Sequence, residues 1–96
     1  MILKLNTLYR VDRNQLVNHD GSPKKSLYVV GAGDVTVRYS PEKTQPFDPL
    51  LDMQVDDKTY IQNGSPYTVI ADFEWIYITS TANPDFYIMG MAFKEA

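Results

Sequence analysis

Between positions 34 and 40 apolar and polar side chains alternate without a break. Val35, Val37 and Tyr39 fall on one face, and Thr36, Arg38 and Ser40 on the other. A period of two marks a β-strand with one buried face. A slip of one residue would turn the whole apolar set to water, so the register here should be well defined. A second run, residues 75–81, reads Trp-Ile-Tyr-Ile-Thr-Ser-Thr, with no Gly, Pro or charge. Aromatic and β-branched residues of this kind suit a pleated, half-buried surface, and the run is too short to make a comfortable helix.

Shorter segments of the same character fill the rest of the chain. In residues 2–11, Leu3 and Leu5 alternate with Lys4 and Asn6, and Leu8 and Tyr9 follow, consistent with one strand. Residues 12–17 fit either a helical turn or a loop, and 18–23 are dense in turn formers. Residues 26–30 read as a strand that Gly31-Ala32-Gly33 breaks, the glycines predicting a hairpin turn. Three prolines (Pro41, Pro46, Pro49) exclude a strand across residues 41–49. Residues 50–55 are ambiguous, Asp56-Asp57-Lys58 reads as a tight turn, and 59–61 as a brief strand. Asn63-Gly64 is the pair favoured in type I′ hairpins. Strands over 67–70 and 75–81 are separated by a bend at 71–74, and Asn83-Pro84-Asp85 turns the chain again. Residues 86–93 close it as one strand that is apolar on both faces apart from Gly90, hence central in the core or pressed against another chain.

The pattern predicts an all-β protein. A β-sandwich or jelly roll of about seven to eight short antiparallel strands is expected, with an open barrel as the rival. The domain is single, 1–96, with residues 1–22 as an arm or edge strand that contacts a neighbour.

Composition adds exclusions. At 96 residues and 44% hydrophobic side chains the chain can bury a modest core. It has no cysteine, so neither a disulfide nor a thiolate site is open to it. A net charge of −3 argues against binding nucleic acid or an anionic membrane. The first residues lack the charged start and apolar stretch of a signal peptide, and no run approaches the ~20 apolar residues of a membrane span. Synthesis in a cytoplasm is expected.

Candidate chemistry is sparse. His19 is the only histidine and sits in the 18–23 turn, where an ordinary surface histidine is the favoured reading over an acid–base or metal role. Asp48, Asp52, Asp56 and Asp57 make the densest acidic group, but without the alternating ladder and glycine of a calcium loop. There is no Gly-x-Ser-x-Gly, and the third glycine and helix of a dinucleotide loop never follow Gly31-Ala32-Gly33. No enzyme, catalytic residue, cofactor or metal is expected. Trp75, Tyr77, Tyr87 and Tyr67 could form a platform for stacking sugar rings, although core or subunit-interface roles for such residues are commoner.

From residue 27 onward the order of elements has a further character. It runs Val35-Thr36-Val37-Arg38-Tyr39-Ser40, then Pro46-Phe47-Asp48-Pro49, Gly64-Ser65-Pro66-Tyr67, a Phe-x-Trp-Ile-x-Ile strand at 73–78, and a final Gly-containing apolar strand. This order resembles that of small β-sandwich virion proteins of bacteriophages, of the capsid decoration (cement) or tail accessory type. The resemblance covers about two thirds of the chain, and the first twenty or so residues lie outside it. It implies a structural virion protein that packs as a homo-oligomer and against other virion proteins, with no catalytic residues. On that reading the expected interface comprises Leu3, Leu5, Leu8 and Tyr9 near the start, and Trp75, Tyr77, Tyr87, Met89, Met91 and Phe93 near the end. The alternative is a carbohydrate- or receptor-binding module that takes a surface glycan on Trp75 and Tyr77. A third reading is a small regulator presenting the 41–49 loop to a target.

Overall fold

The computed structural model of the chain describes residues 2–12, 26–30, 33–60, 65–68, 73–81, 87–90 and 93–96. Among the described residues there are nine strands and no helix. These are β1 (Ile2–Leu3), β2 (Leu8–Val11), β3 (Ser26–Val30), β4 (Gly33–Ser40), β5 (Gln54–Tyr60), β6 (Ser65–Thr68), β7 (Trp75–Ser80), β8 (Tyr87–Gly90) and β9 (Phe93–Glu95). Five of them form an antiparallel sheet in the order β5-β4-β7-β2-β9, and the other four pair in the order β1-β8-β3-β6.

The pairings are nested. β4 lies against β5, β3 against β6, β2 against β7 and β1 against β8, all antiparallel. The chain therefore doubles back once, between β4 and β5, and returns along itself. Two further pairings, β3 with β8 and β4 with β7, join successive plies side by side, and β9 extends the larger sheet beyond β2.

Alternation along β4 comes out as its side chains dictate. Val35 and Val37 are buried, while Thr36 and Arg38 are half-exposed on the other face. Val37 is in register with Ile78, Tyr9 with Ile76, and Val11 with Phe93. Residues directly opposite in a sheet share a face, so these side chains converge in one apolar cluster with Val35, Phe73 and Leu3. The Phe73 and Phe93 rings stack at 6.1 Å between centroids. Each such side chain contributes roughly 1.5–3 kcal/mol on burial, which makes this cluster the main source of stability among the described residues.

Several local expectations are corrected. Residues 2–11 make two strands in different sheets. The chain turns between them at Leu5 and Asn6, and Asn6 takes φ 57°, a left-handed conformation that asparagine tolerates better than most residues. The Asn6 N–H donates to the Ile78 carbonyl at 2.8 Å, tying this turn to β7. Asp56-Asp57-Lys58 belongs to β5, where the Thr36 hydroxyl donates to the Asp57 carboxylate at 2.6 Å. On an edge strand one side is open to water, so charges are accommodated. β3 and β4, expected to form a hairpin, lie in different sheets, and so do β5 and β6, the strands on either side of Asn63-Gly64. The terminal apolar run divides into β8 and β9, again in different sheets. The predicted helical turn or loop at 12–17 beyond Asp12, the turns at 18–23 and 83–85, and residues 31–32, 62–64 and 69–72 of the other predicted turns, strand and bend lie outside the described residues.

Candidate functional site

Two surfaces stand out, and both are built on the larger sheet. The first is the connection between β4 and β5, residues 41–53. Its prolines keep it out of the sheet, and Asp48 and Asp52 shape it. The Leu50 N–H donates to the Asp48 carboxylate at 2.9 Å, and the N–H groups of Leu51 and Asp52 donate to the Asp48 carbonyl at 3.0 and 2.7 Å. In return the Asp48 N–H donates to the Asp52 carboxylate at 2.8 Å. Reciprocal side-chain-to-backbone bonds of this kind hold a turn in one conformation. Met53 anchors its end in the interior.

That turn holds its large apolar side chains out in water. Phe47 is 99% exposed and Leu51 80%, with Leu50 and, at the start of β5, Val55 each at least half exposed. Single exposed apolar residues are ordinary, whereas several on one ordered turn make a candidate interaction surface. Glu42, Asp48 and Asp52 flank them, beside the base Lys43.

The second surface is the outer face of the five-stranded sheet. Register places Trp75, Arg10 and Lys94 in one row across β7, β2 and β9. A second row runs Val55, Arg38, Tyr77 and Leu8 across β5, β4, β7 and β2. The Arg10 guanidinium lies over the Trp75 ring, 5.1 Å from its centroid, while its Nε donates to Glu74 at 3.1 Å. This pairing of a cation with an aromatic face, together with the carboxylate, fixes Arg10 in place. Arg38 Nη1 donates to the Thr79 hydroxyl at 3.2 Å. Arg38 Nε and Trp75 Nε1 are both buried donors without a partner among the described residues, which costs free energy.

A scan against protein-family models finds no match for this chain, and searches of curated proteins and of solved structures find none either.

The residues expected at an interface are divided by the fold. Leu3, Tyr9 and Phe93 belong to the apolar cluster inside the chain, and Trp75 is 5% exposed beneath Arg10. Their side chains are taken up by the chain's own packing and present little surface to a partner. A sugar ring would have to displace Arg10 to stack on Trp75. Leu5, Leu8 and Tyr77 are half-exposed, Leu8 and Tyr77 directly opposite each other on the outer face. Tyr87 and Met89 lie on β8, in register with Val30 and with Tyr28 and Ile2. Met91 and His19 lie outside the described residues. Residues 2–12 are woven into both sheets: β1 forms an edge of the smaller one and β2 lies between β7 and β9. Among the described residues, no three His, Asp or Glu side chains are grouped to hold a metal ion.

Sequence reasoning reached Phe47 through the reading in which the 41–49 loop is presented to a target, and missed Leu50 and Leu51 beside it. A Pro-rich segment carrying three large apolar residues with no strand to place them in was the available signal. Arg10 and Arg38 were missed because their effect depends on cross-strand neighbours.

Proposed function

We propose that this chain is a jelly-roll structural subunit of a bacteriophage particle, a capsid decoration or head–tail accessory protein. It would act by packing against copies of itself and other virion proteins, and would reach the particle after synthesis in the host cytoplasm. The observation that carries this reading is the winding of the chain. Four nested antiparallel pairs, doubled back once and divided between two sheets, are what rolling up a long hairpin produces, and β-sandwiches of that kind recur in viral capsid domains. The same architecture serves lectins and cupins, so the fold by itself does not choose among them. The apolar turn at Phe47, Leu50 and Leu51 favours adhesion, since it is ordered by its own hydrogen bonds and yet uncovered.

The test is co-sedimentation of the purified protein with particles of the phage that encodes it, together with its mass by light scattering. Saturable binding at a fixed ratio to the major capsid or tail protein is expected. A strict monomer that stays in the supernatant would overturn the proposal. The glycan reading has its own check: quenching of Trp75 fluorescence on titration with oligosaccharides, with no association with particles.

A further inference from the structure

We infer that the turn carrying Phe47, Leu50 and Leu51 is a projecting anchor that seats in an apolar groove with a basic rim on a different protein of the particle. The inference rests on the reading of the chain as a virion subunit and names the chemistry of the surface it meets.

The form of the turn sets the shape of its partner. The N–H groups of Leu51 and Asp52 both donate to the Asp48 carbonyl, closing one turn of helical hydrogen bonding. Phe47, Leu50 and Leu51 follow the i, i+3, i+4 spacing of side chains that anchor in a groove. All three are exposed, Phe47 almost wholly. Side chains that project this far are enclosed by a concave surface and only grazed by a flat one. The turn is already held by its own hydrogen bonds, so little freedom is lost when it docks.

Charge selects the rim. Glu42, Asp48 and Asp52 flank the apolar side chains beside the base Lys43. The Asp48 and Asp52 carboxylates each accept a backbone N–H of the turn, which fixes two negative charges next to the anchor. A neutral or acidic rim would strip water from them without compensation, whereas arginine or lysine offsets that loss. A second copy of the chain is a poor occupant. Its turn is acidic, and among the described residues its outer sheet face carries both signs. Asp34 and Asp57 lie there with Arg38 and Lys94, and Arg10 is already paired with Glu74. The groove therefore belongs to another protein.

Particles assembled without this chain, from the phage that encodes it, are the probe, and binding is read by co-sedimentation and by association kinetics. Phe47→Ser should weaken binding by roughly thirtyfold or more, the loss expected of a central anchor, with the β circular-dichroism spectrum retained. Should that variant fail to fold, Leu51→Ser replaces it. Glu42→Lys should slow association and flatten its dependence on salt, because a flanking charge acts on the approach. A photo-crosslinking phenylalanine analogue at position 47 should join the chain to one particle protein, at an apolar stretch bordered by Lys or Arg. Three results would each overturn the inference and leave the virion reading standing. These are cross-linking to a second copy of this chain, undiminished binding by Phe47→Ser, and wild-type kinetics and salt dependence in Glu42→Lys. A wild-type chain that binds no particle would overturn both.

Discussion

Tyr9 illustrates how one residue ties local chemistry to the fold. Its ring is 1% exposed within the apolar cluster, yet its hydroxyl accepts a 2.7 Å hydrogen bond from the Lys4 N–H. That bond clamps the end of β1 to the start of β2 across the turn at Asn6. Tyr9→Phe keeps the ring and removes the acceptor, so a loss of about 0.5–1.5 kcal/mol is expected. Ile76→Ala, which empties part of the core instead, should cost about 2–5 kcal/mol. Urea titrations check both: the midpoint should fall in that order with the slope unchanged. Equal losses would mean that the hydroxyl is not an ordinary neutral clamp. The ring was legible in the sequence as an apolar position, because a period of two reports which face a side chain takes. The break at Asn6 was not legible, since a left-handed asparagine leaves no mark on that period.

At the scale of the element, β5 shows why local signals misled. Asp56-Asp57-Lys58 has turn composition, and no strand propensity favours it. Pairing with β4 along its length overrides that preference, and the Asp57 carboxylate accepts from the Thr36 hydroxyl of that neighbour. The glycine pairs misled for a related reason. They do mark ends of strands, but composition cannot say whether the next strand returns to the same sheet or crosses to another. Strand existence was therefore largely legible and strand partnership was not. The charges on β5 have a use in the fold, because an unpaired edge of seven residues would otherwise be a template for another chain. Replacing Asp56 and Asp57 together with valine should leave the β circular-dichroism spectrum in place. It should also raise the rate of aggregation followed by light scattering and thioflavin fluorescence. Unchanged solubility would show that something other than these carboxylates protects the edge.

For the whole molecule the nested winding makes a demand that neither residue nor strand reveals. Residues 2–12 supply β1, which pairs with β8, and β2, which lies between β7 and β9. An arm that merely reached a neighbour could be removed without harm to the domain. A strand from the middle of a sheet cannot: without β2, the buried Ile76 loses its Tyr9 neighbour and β9 loses the strand it pairs with among the described residues. These contacts also join residues far apart in sequence, which predicts slow folding, in the range of milliseconds to seconds, because loop closure must precede the contacts that reward it. Stopped-flow refolding, followed by the fluorescence of Trp75 beneath Arg10, should show that range. Deletion of residues 1–12 should then abolish the cooperative urea transition and leave no slow phase to measure. A truncated chain that still melts sharply with a β spectrum would assign the N-terminal strands to assembly instead of folding. It would move the burial of Leu3 and Tyr9 from the cause of the fold to one of its consequences.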